Sequence, residues 1–225
     1  MSGDWADAGT KVRAERCAAL DVLGVRHGFG LRQRGLAVAL DREEALERLR
    51  PAHKELGKEL GCGEALWCRA EQVHGAAVAV ATFEAGDYYA DVDALITNDP
   101  RVCLGIYVAD CCAVFVVDME HKAVGLVHAG AKGTRLGVVP ATLNAMRRSF
   151  GSRPQSLSVV LSACIRPPHY EVDFAAQIRK QCEEFGVPQV WDSRQCTGAD
   201  LDRYYSYRME RGRTGRMLAL LAVPH

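Results

Sequence analysis

At 225 residues the chain is long enough to bury one large core without covalent staples, and 48% hydrophobic with 25% charged residues excludes a disordered or fibrous protein. Lys+Arg and Asp+Glu both total 28, so the formal net charge is zero. No global field then draws the chain to nucleic acid or an anionic membrane, and any anion site must be local.

The opening MSGDWADAGTKVRAERCAAL carries acidic residues and no uninterrupted apolar core, so it fails as a secretory signal, and residues 1–15 are expected to be loosely ordered. No window approaches the ~20 apolar residues of a membrane span. Asp41 to Leu60 has apolar residues at helical spacing and an acidic first turn; it predicts an exposed helix or helix pair, kinked or divided at Pro51. From Ala65 to Ala129 the pattern changes to the β-rich runs AVAVAT, DALIT, VCLGIYVA, AVFVVD and AVGLVHA, which predict a sheet assembled from consecutive strands. Thr134 to Phe150 returns to helical periodicity, LSVVLSA is another strand, Phe174 to Phe185 is helical, and RMLALLAV is a closing strand. Strands in the middle with helices before and after predict an α+β fold: one domain over 1–225 with a central mixed sheet assembly flanked by helices. The nine cysteines form no CxxC pair and no regular framework, which predicts a reduced, cytoplasmic protein with mostly buried thiols.

Two of the seven histidines have a distinctive setting. His74 lies in EQVHG at the start of a strand, and His128 ends the run AVGLVHA before a glycine. Cys111, in VADCC, lies at the junction of two apolar runs. All three fall at strand ends, where loops project side chains into a cleft. Two imidazoles and a thiolate suit Zn²⁺ and leave a fourth position open, although on spacing alone residues so far apart in sequence fit a buried thiol and two hydrogen-bonded histidines better.

The series HGFGLR, EQVHG, VDALIT, VADCC, VGLVHAGAKGT, YEV and SYRMERGRTGRM runs in order over nearly the whole chain. It resembles the YfiH family, also labelled multicopper polyphenol oxidoreductase laccase. The resemblance implies a YfiH-like α+β domain with His74, Cys111 and His128 round one zinc. It also implies purine nucleoside chemistry: phosphorolysis of adenosine, inosine, guanosine and methylthioadenosine, with deamination of adenosine. The partners implied are a nucleoside and phosphate, with neither nucleic acid nor membrane. The laccase label conflicts with ligand counting, because seven histidines with two in suggestive positions do not fill a multicopper set, although one His₂Cys site can take copper adventitiously.

Deamination needs water activated at the metal and a proton shuttle. Asp110 and Glu71 are the acidic residues nearest the ligands in sequence, and Asp110 serves equally well as a partner orienting a ligand histidine. Phosphorolysis needs donors for phosphate. Where the family has His-Ala-Gly-Trp-Arg-Gly, this chain has HAGAKG: Ala131 replaces the aromatic residue and Lys132 the arginine, with Arg135 near enough to compensate. The loop loses a stacking surface and a bidentate fork, so phosphorolysis is expected to be weakened more than deamination. Arg32, Arg69 and Arg166 are further anion candidates or plain exposed arginines, and Tyr204, Tyr205 and Tyr207 are base-stacking candidates or buried wall residues. Two other readings keep the same residues. In one, Cys111 is a nucleophile activated by His128 or His74, acting on a small peptide-like or peptidoglycan-precursor substrate. In the other, the altered loop marks a non-catalytic paralogue.

Overall fold

The computed structural model describes residues 4–63 and 65–224. The chain opens with β1 (Trp5–Asp7), β2 (Ala14–Cys17), α1 (Ala18–Val22) and β3 (Arg26–Gly30), followed by the long helix α2 (Arg42–Glu59). The strand-rich stretch comprises β4 (Leu66–Ala70), β5 (Val78–Val80), β6 (Tyr88–Tyr89), β7 (Ala94–Thr97), β8 (Val102–Val108), β9 (Cys112–Asp118) and β10 (Ala123–Ala129). Helices α3 (Ala131–Arg135) and α4 (Val138–Phe150), strand β11 (Leu157–Leu161), helix α5 (Phe174–Phe185), and strands β12 (Gln189–Asp192) and β13 (Met217–Ala222) complete it.

The strands form two mixed sheets rather than one built from consecutive strands. The first is ordered β1-β2-β3-β13-β8-β4-β6 and the second β12-β11-β9-β10-β7-β5. The chain crosses between sheets at the turn from β8 to β9, and β13 does not close an edge but enters the first sheet between β3 and β8. Alternation along the strands explains the layering. In β9, Ala113, Phe115 and Val117 face the core shared by the two sheets. Cys112, Val114 and Val116 face a second core with Leu143 and Met146 of α4 and Ile178 of α5. In β13, Met217, Ala219 and Leu221 join the shared core, while Leu218 and Leu220 meet Leu56 of α2 on the outer face. Both sheets are therefore covered on both sides, which is why their central strands read as unbroken apolar runs.

Three further expectations are corrected. Within the segment expected to be loose, Trp5 is buried in the shared core and Trp5–Asp7 pairs with β2; residues 1–3 lie outside the described residues. Pro51 does not divide α2, because its ring lies on the exposed side while Ala45, Leu49, His53 and Leu56 hold the helix to the sheet, and Asp41 Oδ1 caps it by accepting from the backbone N–H groups of Glu43 and Glu44 at 3.0 Å each. The helix expected over 134–150 is two, because Gly137, at φ 80°, takes a left-handed conformation that breaks the ladder between α3 and α4.

Candidate metal centre and its cavity

The end of the second sheet brings the three ligand candidates together. His128 is the penultimate residue of β10, paired across the ladder with Ala113 of β9, and Cys111 stands in the turn that leads into β9. His74 lies on the loop before β5 rather than at the start of a strand, with φ at 58°. The potential ligand atoms of His74, Cys111 and His128 all lie within 4.8 Å of one another. The two imidazole rings meet edge-to-face with centroids 4.7 Å apart.

Asp93 holds the arrangement. Its side chain is fully buried immediately before β7. Oδ1 accepts from His128 Nδ1 at 2.7 Å and from the His74 backbone N–H at 2.9 Å, and Oδ2 accepts from Gly75 N–H at 2.6 Å. These bonds orient His128 with Nε2 toward the thiol and support the left-handed backbone at His74. Burial alone would raise the Asp93 carboxyl, but hydrogen bonds from His128 and Gly75 outweigh it and hold it below the usual range. The same competition governs the triad. Burial works against ionisation of Cys111, yet the His128 charge and hydrogen bonds from both histidines bring the thiol down to about 6. Burial also works against charge on His128, while the Cys111 thiolate and Asp93 raise it to about 9. Before any metal binds, the geometry favours a thiolate–imidazolium pair backed by a carboxylate.

His128 is buried, Cys111 half-buried and His74 exposed, so the centre is accessible from one side. It faces a cavity of about 960 Å³. The seven-stranded sheet side contributes Gln72, Tyr107 and Arg216, the N-terminus of α2 contributes Asp41 and Arg42, and Tyr170, Phe174 and Tyr207 add aromatic surface. Gly130 is needed for closeness: a Cβ there would lie 2.6 Å from Cys111 Sγ.

The other expected residues divide. Asp110 lines the cavity but does not orient a ligand histidine; Oδ1 accepts from Thr197 Oγ1 at 2.6 Å and Oδ2 from the Arg208 backbone N–H at 2.7 Å, with φ at 81°. Lys132 lines the cavity, whereas Arg135, exposed at the end of α3, and Glu71, also exposed, are not among its lining residues. The three anion candidates are neither free for an anion nor partnerless. Arg32 pairs with Glu210 at 2.6 Å, Arg69 with Asp87 at 3.2 Å, and Arg166 with Asp192. Tyr204 and Tyr205 are buried wall residues, and Tyr207 reaches the cavity. All nine cysteines are free, seven of them buried. Among the described residues no helix is long and apolar enough to cross a membrane.

The orienting role of Asp93 was missed because VDALIT reads as an ordinary buried strand. The signal was there, since a lone acid inside an apolar run must find partners. The cavity-wall Arg216, hidden in a polar loop segment, had no such signal.

Comparison with known proteins agrees with this architecture. The family model described as multi-copper polyphenol oxidoreductase laccase matches residues 27–177 and 172–224. A Deinococcus radiodurans protein named purine nucleoside phosphorylase is 31% identical over 236 residues, spanning 90% of this chain and 90% of its own. The crystal structure of YlmD from Geobacillus stearothermophilus has the same fold, with a TM-score of 0.82 at 24% identity, covering 99% of this chain and 100% of that one. The Bacillus licheniformis hypothetical protein YfiH gives 0.86 at 20% identity, covering 97% and 98%. Matched from residue 27 to residue 224 by one family model and along 90% of its length by a relative of 31% identity, the chain belongs to the YfiH family, the multi-copper polyphenol oxidoreductase laccase family.

Proposed function

We propose that this chain is a zinc-dependent purine nucleoside enzyme that phosphorolyses nucleosides such as adenosine, inosine, guanosine or methylthioadenosine and deaminates adenosine. The observation that carries the reading is the His74–Cys111–His128 group, backed by Asp93 and opening on a cavity with both aromatic and cationic walls. The name of the Deinococcus relative supports the substrate class.

The donor set fits zinc: two imidazoles and a thiol brought down to about 6 are borderline-soft ligands, and His128 is already oriented through Nδ1. When bound, zinc supplies a Lewis acid that polarises water or a purine substituent. The chain's own residues do the rest. Tyr207, Tyr170 and Phe174 offer rings against which a purine can stack. Lys132 contributes a mobile positive charge toward phosphate, as a single point where the family loop has a planar fork. Asp110, with both oxygens engaged, ties the turn that carries Cys111 to Thr197 and to the backbone of Arg208 rather than relaying protons.

A substrate panel with separate detection of free base, ribose 1-phosphate and ammonia, run beside elemental analysis, tests the reading. About one zinc per chain and phosphate-dependent base release are expected. Several coppers per chain with an intense blue thiolate-to-copper absorption would instead support oxidase chemistry.

The low position of the Cys111 thiol favours one second reading, a Cys-His hydrolase acting on a small peptide-like substrate. A metal-free protein whose activity disappears as Cys111 is alkylated would establish it, because a ligated thiolate is not a free nucleophile.

A further inference from the structure

Six basic side chains line the cavity: Arg42, Lys132, Arg208, Arg211, Arg213 and Arg216. Five are exposed; Arg216 alone is half-buried. Arg208 is engaged by Glu171 through a two-pronged pair at 2.8 and 3.0 Å, and Arg213 Nε donates to the Ala39 carbonyl at 3.2 Å. Arg216 donates through Nη1 only, to the carbonyls of Thr214 at 2.8 Å and Gly215 at 2.9 Å. Among the described residues no carboxylate pairs with it, and Nε and Nη2 have no protein acceptor. Its guanidinium lies over the Tyr207 ring at 5.7 Å.

A half-buried cation without a counter-ion is disfavoured unless an anion arrives to neutralise it. Burial first, and then the nearby Arg42, push the Arg216 guanidinium down, while Tyr207, Cys111 and Asp110 offset part of this. A guanidinium stays protonated even so, and places a fixed positive charge at the cavity wall. The two carbonyl bonds fix Nη1 and leave a planar pair of donors, Nε and Nη2, matched to two oxygens of a phosphate. This is the fork that Lys132 cannot supply.

We infer that Arg216, with Arg42 beside it, is the phosphate-binding residue of this cavity and takes inorganic phosphate on the same wall system as the His74–Cys111–His128 group. What the phosphate then does rests on the purine nucleoside reading. A phosphate oxygen forms a bond to C1′ of the ribose as the glycosidic C–N bond breaks. The electron pair of that bond leaves with the purine, which takes up a proton, and ribose 1-phosphate is the second product. Held at Arg216, phosphate keeps its charge partly neutralised while remaining a nucleophile.

Titration calorimetry of the folded chain with inorganic phosphate tests the inference without any nucleoside. Arg216→Met should weaken phosphate binding by at least about 10-fold, and Arg216→Lys, which keeps the charge and loses the fork, should weaken it by a smaller factor. Arg42→Gln should weaken it a few-fold, and Arg153→Gln, on a surface pair with Glu120, should bind as the parent does. Should Arg216→Met fail to fold, the lysine variant and Arg42→Gln still decide the matter. Parent-like affinity in Arg216→Lys and Arg42→Gln, or no phosphate binding by the parent chain, would overturn the site. Base release that persists with phosphate affinity independent of Arg216 sinks this inference alone. Arg216-dependent phosphate binding with no nucleoside turned over sinks the nucleoside reading and leaves the site standing.

Discussion

A single carboxylate, Asp93, ties together the two histidines of the candidate metal centre: its Oδ1 accepts from the His128 ring at 2.7 Å and from the His74 backbone at 2.9 Å. One is a ring orientation and the other a backbone conformation, so removing the carboxylate should disturb both ligands at once. Asp93→Asn turns one acceptor into a donor facing N–H groups. Zinc affinity, measured by competition with a chelator, is expected to fall by roughly 10- to 100-fold. Unchanged affinity in a folded variant would remove Asp93 from the centre.

Gly130 should be as sensitive as a ligand although it carries no donor. Its φ of −95° suits any residue, so Gly130→Ala leaves the backbone unstrained but drives a methyl group to within 2.6 Å of Cys111 Sγ. The thiol must then move. Metal stoichiometry well below one per chain is expected, with little change in melting temperature; a full complement of metal and an unaltered rate would show that the site repacks freely.

Asp110 separates shaping from proton transfer. Asp110→Asn retains the tolerance of a left-handed backbone but can satisfy only one of the two donors, Thr197 Oγ1 and Arg208 N–H. A stability loss of about 1–3 kcal/mol is expected, with kcat reduced less than about 10-fold. A fall of about 10²-fold or more in kcat at unchanged melting temperature would instead identify Asp110 as the proton shuttle.

The HAGAKG loop gives a comparative test. Lys132→Arg, alone and with Ala131→Trp, should raise phosphate-dependent base release without a matching rise in ammonia from adenosine, since a second fork serves phosphate and not deamination. Equal changes in both rates would take Lys132 out of phosphate binding and leave Arg216 as the anion residue.

Acid should weaken the fold through His53. This histidine, on the buried face of α2, is 5% exposed, and burial pushes it from 6.5 down to about 4. Between these values the unfolded chain binds a proton that the folded chain excludes, so the stabilisation is complete above 6.5 and is lost as pH falls toward 4, up to about 3 kcal/mol. Denaturant titrations of His53→Leu should show a shallower acid slope than the parent. Superimposable slopes would mean that another group, such as the buried His27, carries the effect.

Long apolar runs made the central strands legible. β8, β9, β10, β11 and β13 coincide closely with runs in the sequence because each is buried on both faces. Their partners were not legible, since a strand buried on both faces carries no asymmetry that says which sheet it enters; hence the turn at Cys111 read as a junction within one sheet. The N-terminal strands escaped notice because AERC and RHGFG mix charge and glycine with apolar residues, and Glu15 in β2 is buried against Arg203. In the site, positions beside turns singled out His74, Cys111 and His128, but it was the family resemblance that joined them into one ligand set. Asp93 and Arg216 were not, because their roles depend on contacts across the fold rather than on neighbours in sequence.

The division of the cavity between the two sheets has a thermodynamic consequence. The candidate metal ligands gather at the end of the second sheet, with only His128 in one of its strands, while Tyr107 lies in the first sheet and Gln72 and Arg216 border its strands, and the two sheets are joined through the shared core. A molecule touching both walls acts as a clamp across that core, with affinity only for the docked pair of sheets. Occupancy at 100 times the dissociation constant would add about 2.7 kcal/mol against separation of the layers. Slowed amide exchange at buried positions of the shared core such as Phe115 and Ile106 is therefore the signature by which a true occupant can be told from one that binds a single wall.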